Sequence, residues 1–272
     1  MSVITVAKKD VQDAIRSWRL LGLVAAFVIF FTGMSALFTK VGTFVGGQLG
    51  EAAFTAAIVS PIGFLLPVIG MFIGYRSVVG ERSTGSIKLL LSLPHTRSDV
   101  VLGKFIGRTA IVSVATVIGA LAGGITIVAL GGSMTPMHYI GVLLLALVLG
   151  AAFVSVSVGL SSGVNSESIV VAIGFGLIVL FNLLWSVFTF GLSIVLARYD
   201  VGTQVLREQV VGFISAINPK SAFSTLTSTV MGSGGTPTTV WSEWWFAGLV
   251  LLCWLVLPLA FGLWRFESAE LS

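Results

Sequence analysis

The stretch GERSTGSIKLLLSLPHTRSDVVLGKFIGR, Gly80 to Arg108, decides how the chain is read, because it is a charged passage set between two long apolar runs. It contains Arg82, Lys88, Arg97, Lys104 and Arg108, and with Arg76 just ahead of it these make six of the fifteen Lys and Arg residues. Ile87, Leu90 and Leu91 share a helical face and Lys88 lies off it, so the spacing predicts a short amphipathic helix from Gly85 to Leu93, ended by Pro94. Thr96 and Asp99 stand in the S/T-x-x-D/E relation, in which each side chain satisfies the other residue's backbone N–H. A new helix therefore starts just ahead of Val100. A plain connector would be shorter and less apolar; a Leu-rich face in a loop calls for something to cover it.

Outward from this loop the chain is greasy. Of 272 residues, 56% are hydrophobic and 10% charged, with a mean hydropathy of +1.05, against roughly 25% charged residues in soluble domains. A bilayer-spanning helix needs about 20 apolar residues. Six stretches qualify: Leu20 to Phe38, Phe54 to Tyr75, Phe105 to Leu130, Tyr139 to Leu160, Ile169 to Leu196, and Trp245 to Trp264. The expected fold class is thus an all-α integral membrane protein with six transmembrane helices. The first run is too long for a signal-peptide core and no small-x-small cleavage site follows it, so it is expected to remain as a span.

Charge gives orientation. With the N-terminus inside, inner segments carry eleven of the fifteen Lys and Arg residues, and only Lys40, Arg198, Arg207 and Lys220 fall outside. Both termini are therefore expected in the cytoplasm of a cell membrane, and the net charge of +4 is loop charge that implies no nucleic acid. The domain plan is a cytoplasmic amphipathic helix over residues 1–19, then a six-helix transmembrane unit over 20–272. That unit has a cytoplasmic loop at 76–104 and a large outer loop at 197–244.

In Ser2 to Arg19, residues Val3, Ile4, Ala7, Val11, Ala14, Ile15 and Trp18 fall within an arc of roughly 120° at 100° per residue, which predicts a helix along the inner leaflet. Pro61 and Pro67 predict a kink in the outer half of the second span, serving either helix packing or a pathway. Asn182, mid-membrane in the fifth span, must face another helix or an aqueous path. The pairs Gly70/Gly74, Gly103/Gly107, Gly119/Gly123 and Gly159/Gly163 allow close helix approach. In the outer segment, Leu206, Val210, Val211 and Phe213 predict short helices, with a break at Asn218-Pro219. The turn bearing Met134, Met137 and His138 offers soft or borderline ligands for Cu(I), a weak signal against the plain reading of a structural turn.

Several chemistries are missing. Gly103-Lys104 is followed by Phe105 and lacks the upstream glycine of a Walker loop, so the chain has no ATP site of that type. A single cysteine, Cys253, permits no intrachain disulfide or thiolate cluster, and His95 and His138 alone make no His-based triad or zinc protease. The spans carry almost no carboxylates, which argues against a proton-coupled carrier. No catalytic residue and no cofactor is expected in this chain.

The run Glu81, Gly85, Ile87, Leu90, Leu91, Pro94, Arg97, Gly103, Lys104 resembles the pattern found in permeases of type-2 ATP-binding-cassette (ABC) exporters. The six spans, the N-terminal amphipathic helix and the large last outer loop are similar to that family over nearly the whole length. The size and the Ile217-Asn218-Pro219 passage look most like its NosY-like subgroup. The resemblance implies a permease subunit rather than an enzyme. A separate ABC ATPase subunit would carry ATP and Mg and dock on a coupling helix in the 76–104 loop, and a second permease protomer would complete a homo- or heterodimer. By resemblance, Glu81, Arg82, Gly85, Ile87, Leu90 and Leu91 contact or position that ATPase. Two alternatives stand beside it: a non-transporting scaffold for an extracytoplasmic assembly partner, and an exporter of copper or a sulfur species for metalloenzyme maturation.

Overall fold

The computed structural model describes residues 3–44, 55–83, 96–133, 135–236 and 238–268, and among these it is helical with no strand. The helices are α1 (Val3–Arg16), α2 (Trp18–Phe44), α3 (Ser60–Gly74), α4 (Val79–Ser83), α5 (Arg97–Ala129), α6 (Pro136–Gly163), α7 (Glu167–Val179), α8 (Trp185–Arg198), α9 (Gln204–Ala216), α10 (Pro219–Val230) and α11 (Trp244–Glu267). Two π-helical turns interrupt the spans: Thr55–Val59 leads into α3, and Leu180–Leu184 joins α7 to α8. Six stretches are long and apolar enough to cross a bilayer: Leu20–Val41, Ala57–Ser83, Arg97–Ala129, Pro136–Gly163, Glu167–Arg198 and Trp244–Glu267. The chain is a multi-pass, all-helical membrane protein.

α5 starts where local chemistry predicts. Thr96 is its N-cap, with its side chain accepting from Asp99 N at 3.1 Å, and Asp99 Oδ2 accepts from Thr96 N at 3.1 Å. The helix therefore runs two turns before the third apolar stretch begins, and those turns carry Gly103 and Lys104.

α6 is the centre of the bundle. It packs against α11, α3, α5 and α10, and residues 152–159 are buried without a break. A helix that is apolar all round has no preferred face to present, which is the pattern of a helix enclosed by others. Helices in lipid associate through close packing rather than hydrophobic drive, and the glycine pairs provide it. A Cβ added at Gly70 would lie 2.8 Å from Cβ of Phe153, and one at Gly119 would lie 2.7 Å from Cβ of Phe27. At Gly159 it would overlap the Pro258 carbonyl oxygen. These are the seams of α3 on α6, α2 on α5 and α6 on α11.

α1 packs on α5 rather than standing apart. Its Val6 and Ala7 are buried, while Ile4, Ile15 and, at the start of α2, Trp18 remain exposed. Gly103 and Gly107 make room for it: a Cβ at Gly103 would sit 2.5 Å from Cβ of Val6, and one at Gly107 2.8 Å from Asp10 Oδ2. The apolar arc read from the sequence is thus shared between α5 and the surroundings.

In the second span the irregularity lies at the π turn. Pro61 follows it in the first turn of α3, where a missing N–H costs little, and Pro67 lies inside the helix. At the end of the bundle away from the chain termini, α9 packs on α8. α10 inserts against α11, α6 and α3 and buries Ala222, Phe223 and Thr227.

Candidate functional site

The densest polar assembly surrounds the short helix α4, at the bundle end that bears both chain termini. A helix start leaves backbone N–H groups without intrahelical partners. Here Val78 N and Val79 N, both on fully buried residues, donate to Ser161 Oγ of α6 at 3.0 and 3.1 Å. One turn on, Glu81 Oε1 meets Lys104 Nζ of α5 at 2.6 Å, and that lysine side chain is only 6% exposed. Burying an ammonium group is tolerable only with such a partner.

Arg82 turns toward the other side. It donates to Asn165 Oδ1 in the turn before α7, and its guanidinium lies 4.6 Å from the centre of the Phe266 ring. Arg97 lies 5.7 Å from the same ring and donates to Phe266 O and Glu267 O at 2.8 and 3.1 Å. Those carbonyls close α11, where a cation also complements the helix dipole. Arg76 pairs with Glu167 at 2.8 Å, and Glu167 lies in the first turn of α7, where negative charge is favoured. Arg108 pairs with Asp10 of α1 at 3.0 Å. Burial pushes the Asp10 carboxyl above its ordinary value, with Arg108 and Lys104 pulling it back down.

α1, α5, α6, the turn before α7, α7 and α11 are thus all tied into one cage of polar contacts, with α4 at its hub. The cage fixes the described residues on either side of 84–95: α4 holds Ser83, and the cap together with Arg97 holds Thr96. Of the residues singled out in the sequence, Glu81 and Arg82 lie in this cage. Gly85, Ile87, Leu90 and Leu91, with the predicted amphipathic helix, lie outside the described residues. Sequence reasoning missed Ser161, Phe266 and the roles of Lys104 and Arg97. Asn165 and Glu167 fall in the short polar connection between the fourth and fifth apolar runs.

A second junction joins the fifth span to α10. The Asn182 side-chain oxygen and nitrogen are buried in the π turn and have no hydrogen-bond partner among the described residues. The amide that links elements is Asn218. Its Nδ2 donates to Phe181 O at 3.2 Å, within the π turn, and its Oδ1 accepts from Lys220 N at 2.8 Å, capping α10. Trp185 Nε1 donates to Ile214 O at 3.2 Å, and Trp254 Nε1 to Ile217 O at 2.9 Å. The Phe181 ring stands edge-on to Trp254 with centroids 5.0 Å apart.

Among the described residues no group of three or more His, Cys, Asp and Glu is arranged to hold a metal ion. Met137 is exposed beside His138, and Met134 lies outside the described residues.

Comparison with known proteins places this architecture. The ABC-2 family of transporter proteins matches residues 4–271. Two similar relatives are each named a probable ABC transporter permease protein NosY. The one from Pseudomonas aeruginosa is 30% identical over 190 residues, covering 67% of this chain and 68% of the relative. The one from Stutzerimonas stutzeri is 30% identical over 190 residues, covering 67% of each. A six-span bundle with a matching family over almost its whole length leaves one conclusion: the chain belongs to the ABC-2 family of transporter permeases.

Proposed function

We propose that the chain is the permease subunit of an ABC exporter, driven by a separate ATPase subunit that grips residues 84–95 from the cytoplasm. What supports this reading most is the α4 cage. A loop meant only to connect two spans needs no fixed ends, whereas a loop that receives force must be joined stiffly to what it moves. Ser161 holds α4 to α6, Lys104 holds it to α5, and Asn165 with Phe266 holds it to the α7 and α11 ends. A push on the loop therefore displaces four spans together.

Glu81 and Arg82 position the loop in this scheme, while Gly85, Ile87, Leu90 and Leu91 form the contact surface. ATP and Mg are bound by the partner, and this chain contributes no hydrolytic group. A second permease protomer completes the pathway, and both chain ends face the cytoplasm. The relatives named as permeases support the same role.

The decisive experiment introduces Leu90→Asp together with Leu91→Asp and co-purifies the ATPase from membranes. The expected result is loss of the ATPase with unchanged insertion and thermal stability of the permease. An ATPase that stays bound to the doubly substituted chain removes the proposal.

A further inference from the structure

Lys220 is the second residue of α10, and no described carboxylate pairs with it. The two acids that precede it in the outer segment are engaged elsewhere: Asp200 binds Arg207 at 2.7 Å, and Glu208 accepts from Gln204 at 2.9 Å. The lysine stem lies over the bare face of Gly63. A Cβ there would be 3.9 Å from Lys220 Cε and 3.8 Å from the Phe223 ring. The side chain lines a cleft of about 290 Å³ between the start of α3 and α10, near the lower limit of ~300 Å³ for small-molecule sites.

The cleft is polar on one side and apolar on the other. Ser60, Ser224, Thr227, Ser228 and Ser233 contribute hydroxyls. Three of these already spend their protons on backbone carbonyls: Thr227 on Ser224 O, Ser228 on Thr225 O and Ser233 on Ser228 O. The hydroxyls of Ser60 and Ser224, both exposed residues, make no hydrogen bond among the described residues, so their protons are available. An ammonium and two hydroxyl donors therefore line one cleft, with no described carboxylate paired to the lysine. Burial lowers the Lys220 amine from its ordinary value, so the folded chain carries a cost that an incoming anion would relieve.

We propose that this cleft binds a phosphate-type oxyanion, with Lys220 taking one negative oxygen and Ser60 and Ser224 donating to the others. The phosphate belongs either to the headgroup of an anionic lipid in the adjoining leaflet or to a free solute. This inference needs neither the ATPase nor the 84–95 loop, so its test stands apart from that of the proposed function.

The test uses the full chain in nanodiscs of digalactosyldiacylglycerol, a neutral bilayer lipid without phosphate, with its lysines carrying 13C-dimethyl labels. The Lys220 signal is identified by its loss in Lys220→Arg, and its titration midpoint is followed with added inorganic phosphate or with phosphatidylglycerol in the disc. An upward shift with phosphate assigns the free solute, a shift with phosphatidylglycerol assigns the lipid headgroup, and a shift with both assigns the shared group. Binding to the variants, which lack the Lys220 signal, is read from the 31P linewidth of the added inorganic phosphate or phosphatidylglycerol; it is expected to weaken about tenfold or more in Lys220→Met, as loss of a charged hydrogen bond implies, and to persist in Lys220→Arg. A midpoint that moves with neither probe overturns the proposal, and so does equal binding by Lys220→Met. Should Lys220→Met fail to fold, the wild-type titration decides alone.

Discussion

At the scale of single residues, the Glu81–Lys104 pair is the most exposed to test, because its two partners are unequally buried. Lys104 is 5% exposed and sits against α1, whereas the Glu81 side chain is 30% exposed. Glu81→Gln removes the directly paired countercharge and leaves the enclosed ammonium with only the more distant Asp10 charge. The expected cost is about 3 kcal/mol, the lower end of what breaking a buried ion pair costs, because Glu81 keeps some contact with solvent. Lys104→Met combined with Glu81→Gln removes both charges and restores most of the loss. The measurement is a double-mutant cycle of thermal unfolding in nanodiscs, where the coupling energy between the sites should exceed about 1 kcal/mol. Additive losses in the cycle would mean that the 2.6 Å contact holds nothing together.

At the scale of elements, the seam between α6 and α11 separates glycines that matter from glycines that do not. In the pair Gly159/Gly163, a Cβ at Gly159 would overlap the backbone carbonyl of Pro258, while one at Gly163 would lie 3.6 Å from Cβ of Arg265. Backbone cannot rotate aside as a side chain can. Gly159→Ala is therefore expected to destabilise at or above the usual overpacking cost of about 3 kcal/mol, with Gly163→Ala within about 0.5 kcal/mol of wild type. Thermal unfolding of the two variants side by side checks this. The small-xxx-small spacing was legible in the sequence, but which glycine faces backbone is set by the register of α6 on α11, and no local pattern encodes that. The same limit runs through the rest of the fold. Six spans and the Thr96–Asp99 cap were legible because each rests on residues within one or two turns. α1 was legible as amphipathic but not as a partner of Gly103 and Gly107, since periodicity gives a face and never its neighbour. The π turns leave no periodic signal at all. In the candidate site, Glu81 and Arg82 stood out through the resemblance of their surroundings, whereas Ser161 and Phe266 lie roughly 80 and 180 residues further along and carry no mark of their role.

At the scale of the whole molecule, the question is which end of the bundle faces the cytoplasm, because an ATPase can reach the 84–95 loop only from there. Ion pairing complicates the answer. Seven of the eleven acids share the termini-bearing end with eleven of the fifteen bases, and Arg76, Lys104 and Arg108 are each neutralised by a carboxylate. Were orientation set by net charge, the bias would be small. The rule counts Lys and Arg near the span ends and gives acids little weight, so the asymmetry of eleven to four predicts that the termini-bearing end lies inside. The single cysteine makes this testable by labelling: in a Cys253→Ala background, Thr236→Cys and Ser268→Cys place one exposed thiol at each end. In right-side-out vesicles a membrane-impermeant maleimide should label Thr236→Cys at once and Ser268→Cys only after permeabilisation. The reverse order would put the α4 cage on the outside, out of reach of any ATP-driven partner, and the proposed coupling would fall with it.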